Sequence, residues 1–177
     1  MNEASKLERF EQTMVPHLDA TYNLARWLTR NQHDAEDVVQ EAYLRAFRFF
    51  DRFDPTNAKG GDGRAWLLAI VRNTCLTWLG QAKSRASAGV EFNERMHGTS
   101  DVRENAEEAL VKSAKIASLK HCVESLPVEY REVVVMREME ELSYREISEA
   151  SGVPVGTVMS RLSRGRARLL DCMEAKS

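Results

Sequence analysis

Residues 142–169, LSYREISEASGVPVGTVMSRLSRGRARL, decide the fold prediction because they read as two short helices joined by a tight turn. Ser143 and Glu146 have the S-x-x-E spacing of a capping box, which predicts the start of the first helix. Gly152 is the residue type that most easily takes a positive φ, and it predicts the turn. Pro154 suits the start of the second helix, because a first-turn N–H has no intrahelical partner. Together these signals favour a helix-turn-helix.

The second of these helices sorts its side chains into two stripes at about 100° per residue. Apolar side chains fall on one side: Val155, Val158, Leu162 and Leu169. Hydroxyl and basic side chains fall on another: Thr157, Arg161, Arg164 and Arg168. No acidic residue occurs between Gly152 and Leu170. A recognition helix docks on its domain with one side and enters the major groove with the other, where arginine pairs with phosphate or bidentately with guanine. The alternative is a surface helix with a solvated basic face, and the turn signals favour the recognition helix over it.

The composition is that of a folded protein with no general excess of positive charge. The chain has 177 residues, of which 43% are hydrophobic, and its formal net charge is -2. This length allows one ordinary domain or two small ones, and this hydrophobicity argues against global disorder. A nucleic-acid-binding protein with this balance must concentrate its positive charge locally.

The cysteines and the N-terminus bear on the compartment. Cys75, Cys122 and Cys172 are far apart and odd in number, which argues against a disulfide framework and against a zinc site. The adjacent His121 and Cys122 point in different directions on a helix, so they do not predict a ligand or catalytic pair. No signal peptide and no apolar run of membrane-spanning length is visible, and we expect a cytoplasmic protein without membrane insertion.

The first half of the chain reads as helices separated by polar breaks. Helical spacing of apolar residues extends over 7–30, where Pro16 predicts a kink or a boundary. A second helix is predicted from Asp34, as its N-cap, to Phe53. Residues 53–63, FDPTNAKGGDG, predict a loop, and a further helix follows over 64–81.

The second half begins after a stretch without periodicity. Residues 86–103 contain small and polar residues, and we predict that they form a flexible linker. Helices are predicted over 104–126 and 128–139, directly before the helix-turn-helix. No strand-like alternation occurs, so the predicted class is all-α. The predicted organisation is two small helical domains, 1–85 and 104–177.

With these elements placed, the chain resembles the extracytoplasmic-function (ECF) sigma factors, the small two-domain group (group 4) of the sigma-70 family. DAEDVVQEAYLRAFRFFDRF resembles region 2.2 of the family, and RAWLLAIVRNTCLTWL resembles regions 2.3 and 2.4. LPVEYREVVVMREMEELSYREISEASGVPVGTVMSRLSRGRARL resembles region 4. The short linker in place of a region 3 domain is typical of the group.

The resemblance implies three functional surfaces. The polymerase-binding positions of region 2.2 correspond to Asp37, Gln40 and Glu41. Region 2 also reads the single-stranded minus-10 element of the promoter, for which stacking rings, base-edge hydrogen bonds and cations are needed. The residues assigned to it are Phe53, Asn57, Trp66, Arg72 and Asn73. Region 4 binds the minus-35 element as duplex, through Thr157, Ser160, Arg161, Arg164 and Arg168.

The resemblance therefore predicts a bacterial sigma factor that directs promoter-specific initiation of a stress-response regulon. The expected partners are core RNA polymerase, promoter DNA and an anti-sigma factor, with no cofactor and no small-molecule substrate. One alternative is a helix-turn-helix regulator, which should show a dimerisation helix or a ligand pocket. A second is a sigma-like decoy, whose recognition helix need not stay basic. An enzyme is not expected, because no paired carboxylates, phosphate loop or nucleophile–base pair is recognisable.

Overall fold

The structure is a computed structural model, and it describes residues 2–56, 63–87 and 106–177. Within these ranges all regular structure is helical, which confirms the predicted all-α class. The eight α-helices are α1 (Glu3–Met14), α2 (Leu18–Thr29), α3 (Gln32–Phe49), α4 (Arg64–Ser87), α5 (Ala106–Ser125), α6 (Val128–Val134), α7 (Tyr144–Ser151) and α8 (Val155–Ala175). No helix in the described ranges is long and apolar enough to cross a membrane.

Two boundaries in the first half follow from local chemistry. Pro16 lies in a short 3-10 turn, Val15–His17, which separates α1 from α2 as the proline predicted. The N-cap of α3 is Asn31, whose side chain accepts a hydrogen bond of 3.0 Å from the backbone N–H of Asp34. The prediction that Asp34 is the N-cap is therefore wrong. Asn31 has the extended backbone that a cap needs, whereas Asp34 already lies in the first turn.

The first half packs α2, α3 and α4 against one another, with α1 and an aromatic cluster at one end. Phe10 meets the rings of Phe47 and Phe50 edge-on, at centroid distances of 5.2 Å and 5.3 Å. Such edge-to-face contacts suit the charge distribution of aromatic rings. The cluster fixes the chain where α3 ends, just before the predicted loop.

The helices of the second half end and begin close to the predicted positions. Beyond Val134, α6 continues as a π-helical turn, Val135–Met139, and it leads through Leu142 into α7. Residues 88–105 lie outside the described residues, and most of the predicted linker is among them. Ala86 and Ser87 still belong to α4, and the boundaries of the two domains stay a prediction.

A disulfide joins Cys122 on α5 to Cys172 on α8, with their Cα atoms 5.8 Å apart. The expectation that the cysteines form no disulfide is therefore wrong for this pair. The two residues are 50 positions apart in sequence, and only the packing of α5 against α8 brings them together. Cys75 is free and buried. Among the described residues, no cluster of three or more His, Cys, Asp or Glu side chains could hold a metal ion.

The two halves of the chain are in contact and share one apolar core. Leu24 and Leu28 of α2 and Val71 of α4 belong to the same buried cluster as Met136 and Ile147 of the second half. The main contacts between the halves are those of α4 with α7 and of α2 with α6. Separating the halves would expose part of this apolar surface to water, at about 25 cal/mol per Å².

Gly165 sets the distance at which α8 packs on α6. A Cβ at this position would lie 2.8 Å from Cγ2 of Val134, and 3.5 Å from Cβ of Tyr130. Val134 is buried and β-branched, so it has little freedom to move aside. A side chain on this face of α8 would therefore push the helix away from α6.

We expect Gly165→Ala to destabilise the protein by about 1–3 kcal/mol, through overpacking. Gly156 is the matched control, because it lies on the same helix and a Cβ there meets no atom within 4 Å. Gly156→Ala should stabilise by up to about 1 kcal/mol, since alanine favours the helix. Chemical denaturation of both variants measures the difference, and equal effects would contradict this view of the α6–α8 contact.

Candidate DNA and polymerase interfaces

The helix-turn-helix is built by the local signals of the sequence. The hydroxyl of Ser143 accepts a hydrogen bond of 3.2 Å from the backbone N–H of Glu146, whose carboxylate accepts one of 2.7 Å from the backbone N–H of Ser143. This reciprocal pair confirms the predicted capping box. Gly152 ends α7 with a φ of 73°, and Pro154 immediately precedes α8. The turn therefore fixes the direction in which α8 leaves the domain.

The apolar side of α8 is buried along its middle. Val158 and Leu162 are fully or almost fully buried, and Leu169 is half-buried against the same core. Val155, which the stripe pattern placed with them, is 39% exposed. It is the first residue of the helix, where the turn carries the chain away from the core. The buried face of α8 therefore begins at Val158, one turn later than predicted.

The polar side of α8 is only partly open. Ser160 and Arg164 are exposed, and the hydroxyl of Ser160 donates a hydrogen bond of 3.0 Å to the carbonyl of Thr157. The guanidinium of Arg168 lies 5.1 Å from the ring centroid of Tyr130, in cation–π contact. Arg161 is turned inward, with Nη1 3.5 Å from Oε1 of Glu132. The five predicted minus-35 residues therefore share one helix, while two of their guanidiniums contact α6.

A further arginine, Arg166, was not singled out by the stripe pattern. Its Nε donates a hydrogen bond of 2.7 Å to the carboxylate of Glu138, and this hydrogen bonding raises the pKa of Arg166. Both side chains are about half exposed, so the pair contributes little to stability. It neutralises the part of α8 that faces the π-helical turn, whereas Arg164 keeps its positive charge open to solvent.

The residues predicted to bind the minus-10 element lie in two pairs. The rings of Phe53 and Trp66 are in contact, with centroids 5.2 Å apart. Six residues further along α4, Nη1 of Arg72 donates a hydrogen bond of 3.0 Å to Oδ1 of Asn73. Asn57 lies outside the described residues. One pair places two aromatic rings together, and the other places hydrogen-bonding groups about 9 Å away along the helix axis.

Arg72 also contacts the second half of the chain. Its Nε and Nη2 donate hydrogen bonds of 2.7 Å and 3.1 Å to the two carboxylate oxygens of Glu132. Glu132 lies on α6 and is 1% exposed. No pattern in the sequence predicted this contact. A carboxylate among the apolar residues of the helix over 128–139 was the available signal, since buried acids are almost always paired.

Cys75 lies one turn beyond Arg72 on α4. Burial and, as the smaller cause, the negative charge of Glu132 together raise the pKa of the Cys75 thiol to about 12. The thiol is therefore protonated and inert at neutral pH. The hydrogen bonds of Arg72 to Glu132 show that this face of α4 is directed toward α6.

The predicted polymerase-binding residues lie on the outer face of α3. Gln40 is exposed, and Asp37 and Glu41 are each 43% exposed at their side chains. Oδ2 of Asp37 lies 3.8 Å from Nε2 of His33, and the carboxylate of Glu41 pairs with the guanidinium of Arg45. Both pairs lie within α3. Leu44, one turn further on, is 71% exposed. Helical spacing places Leu44 on the same face, but the resemblance does not include it among the polymerase-binding positions. The outer face of α3 therefore carries one exposed leucine beside two carboxylates that are paired within the helix.

Two family descriptions match the chain. Sigma-70 region 2 matches residues 14–85, and sigma-70 region 4 matches residues 116–169.

Relatives match along nearly the whole chain. The ECF RNA polymerase sigma factor SigE of Mycolicibacterium smegmatis is 36% identical over 169 residues, which is 95% of this chain and 63% of that protein. The ECF RNA polymerase sigma factor SigW of Bacillus subtilis is 33% identical, over 92% of this chain and 87% of its own length. The ECF RNA polymerase sigma-E factor of Escherichia coli is 33% identical, over 75% of this chain and 70% of its own length.

Two solved structures share the fold. One is the sigma factor RpoE from Bartonella quintana in complex with the anti-sigma factor NepR, with a TM-score of 0.74, 23% identity, and coverage of 96% of this chain and 99% of that one. The other is CnrH in complex with the cytosolic domain of CnrY, with a TM-score of 0.66, 26% identity, and coverage of 97% and 91%. With both sigma regions matched in order, and relatives above 30% identity along most of the chain, the protein belongs to the extracytoplasmic-function sigma factors of the sigma-70 family.

Proposed function

We propose that this protein binds core RNA polymerase and directs initiation at specific promoters. The observation that carries the proposal is the presence of both sigma regions in one chain, the second with a basic recognition helix that has no acidic residue before Asp171. Two DNA-binding regions in a fixed order are what recognition of two separated promoter elements requires. Because polymerase and chromosome lie in the bacterial cytoplasm, the proposal implies that the protein acts there.

The proposal assigns three surfaces. The outer face of α3, with Asp37, Gln40 and Glu41, binds polymerase, and the exposed Leu44 extends it. The minus-10 surface consists of Phe53, Asn57, Trp66, Arg72 and Asn73. The minus-35 surface consists of Thr157, Ser160, Arg161, Arg164 and Arg168.

An anti-sigma factor is the third proposed partner. The structures of RpoE and CnrH were each solved in complex with another protein, the anti-sigma factor NepR and the cytosolic domain of CnrY. These complexes support a similar partner for this chain. Control of a stress-response regulon is proposed on the family resemblance alone.

Purified protein added to core polymerase should produce transcripts with defined 5′ ends from the genome that encodes it. Sequencing these ends measures the outcome, with core polymerase alone as the control. A sigma-like decoy would bind an anti-sigma factor and yield no defined start site. Scattered or absent start sites would therefore contradict the proposed function.

The combined variant Asp37→Ala, Gln40→Ala and Glu41→Ala should fold normally and bind core polymerase at least about tenfold more weakly. Each exposed substitution should change the free energy of unfolding by no more than about 0.5 kcal/mol. The matched control replaces Glu8, Glu11 and Gln12, two acids and one amide on the exposed face of α1. Affinity measured by fluorescence titration should fall only for the α3 variant. If the two variants bound core polymerase with equal affinity, this face of α3 would be an ordinary solvated surface.

Arg161 and Arg168 should differ in their effect on DNA binding by the holoenzyme. Arg161 lies nearer the N-terminus of α8, the end that meets base edges, so Arg161→Ala should cost about 1–3 kcal/mol and relax preference at one position. Arg168→Ala should weaken binding on all sequences and lower the salt slope by about one.

Lysine variants separate base contacts from phosphate contacts at these two positions. Arg161→Lys should lose the preference, because lysine lacks the bidentate fork, whereas Arg168→Lys should keep most of the affinity. Binding to promoter variants over a range of salt measures both. Unchanged preference and affinity in Arg161→Ala would show that α8 is oriented differently on DNA.

A further inference from the structure

The Cys122–Cys172 disulfide holds the C-terminal part of α8, which lies beyond the buried residues of that helix. The last buried residue of α8 is Gly165, and Cys172 follows it by two turns. Beyond Gly165 the helix is otherwise held by contacts that are partly exposed to solvent: Arg166 with Glu138, Arg168 with the ring of Tyr130, and Leu169 with the core. The disulfide is therefore a covalent anchor at the weakly packed end of the recognition helix.

The same bond holds α5 in place. The main helix contact of α5 is with α8, and the cysteine of α5, Cys122, lies in its last two turns. Nearer its N-terminus, α5 leaves large apolar side chains between 46% and 69% exposed: Leu110, Val111, Ile116 and Leu119. The packing of α5 thus depends strongly on its C-terminal end and on the disulfide there.

A disulfide is unusual in the compartment where this protein is proposed to act. Glutathione and thioredoxin-type dithiols keep most cytoplasmic cysteines reduced, and the disulfides that do form there are usually catalytic or redox-sensing. Cys122 and Cys172 are 50 positions apart, so the bond forms only when α5 and α8 are packed together. It therefore reports on the folded second half of the chain.

We propose that Cys122 and Cys172 form a reversible redox site. The pair is a dithiol in the reducing cytoplasm, and it becomes a disulfide when a low-molecular-weight disulfide such as oxidised glutathione accumulates. The inference rests on the proposed function, because that function places the protein in the cytoplasm and assigns Arg168 to DNA.

The two cysteines differ in access to solvent, and this sets the order of the exchange. Cys172 is partly exposed, whereas Cys122 is completely buried. The Cys172 thiolate attacks one sulfur of the external disulfide, forms a mixed disulfide and expels one thiolate. The Cys122 thiolate then attacks Sγ of Cys172 and expels the second thiolate. Two protein thiols are oxidised, the external disulfide is reduced to two thiols, and the two protons of the protein thiols pass to the expelled thiolates.

The redox state determines how firmly the end of α8 is held against the domain. Arg168, a proposed phosphate anchor, lies one turn before Cys172 on this helix. Reduction releases the end of α8 from α5, and this part of the helix must then be ordered when DNA binds. Ordering of side chains and backbone on binding lowers affinity. The oxidised protein should therefore bind the minus-35 duplex more tightly than the reduced protein.

A redox titration of the full-length protein tests the site itself. The protein is equilibrated in glutathione buffers with an increasing share of oxidised glutathione, quenched with acid, denatured and labelled with a maleimide. Mass spectrometry should find all 3 cysteines labelled at the cytoplasmic glutathione potential, and only Cys75 labelled in excess oxidised glutathione. The oxidised protein should also melt at least about 5 °C higher than the reduced protein.

Cys172→Ala and Cys75→Ala form a matched pair of variants. Cys172→Ala should melt close to the reduced wild type and should not respond to oxidised glutathione. Cys75→Ala should keep the full difference between its oxidised and reduced melting temperatures, since Cys75 is not part of the pair. Because Cys75 is buried, this variant is judged by its response to the oxidant and not by its absolute stability.

Holoenzyme binding to a promoter duplex, chosen from the mapped start sites, measures the consequence for DNA. Oxidised wild-type holoenzyme should bind about two- to tenfold more tightly than the reduced form, and Cys172→Ala should bind like the reduced form in both buffers. Equal DNA affinity of the oxidised and reduced wild type would overturn the inference. So would a disulfide that persists at the cytoplasmic potential, or a pair that stays reduced in excess oxidised glutathione. The last two outcomes are measured without polymerase or DNA, so they are independent of the proposed function.

Discussion

The structure depends on two neighbouring buried charges on α6. Arg131 is 4% exposed, and its guanidinium donates to the carbonyls of Glu124 and Leu126, each at 2.9 Å, as well as to Leu28. These carbonyls end α5 and α2, where helical C=O groups lack partners and the helix dipole is negative. Burial, together with the charge of Arg30 and against the opposing effect of Glu124, lowers the pKa of Arg131 to about 10. The Arg131 cation thus holds the C-terminal ends of two helices together. The adjacent Glu132 binds two arginines.

Local signals in the sequence predicted most of the helical architecture. The capping box at Ser143, the glycine turn and the break at Pro16 each act through atoms within a few residues, so a single sequence carries them. The N-cap of α3 was misplaced by three residues, because Asn31 and Asp34 have the same capping chemistry and only backbone geometry distinguishes them. Helical periodicity is equally local, and it placed the predicted minus-35 side chains of α8 in one stripe of that helix.

Long-range contacts could not be predicted in this way. Cys122 and Cys172 gave no spacing pattern, since their approach depends on how α5 packs against α8. The direction of Arg161 was predicted only as a stripe on a helix. The side chain of Arg161 is directed toward Glu132, which lies nearly thirty positions earlier in the sequence. Arg72 reaches the same carboxylate from the other half of the chain. Periodicity states which side of a helix a residue occupies, but not which distant charge will meet it there.

Apolar and charged contacts contribute differently to the interface between the two halves of the chain. Burying a charge costs much of what its pairing returns, so the Glu132 pairs add little net stability. They instead destabilise any packing of the two halves in which one of these charges lacks its partner. The pairs therefore fix the position of α4 relative to α6. The stability of the contact between the halves then comes from the shared apolar cluster around Leu24, Val71 and Ile147.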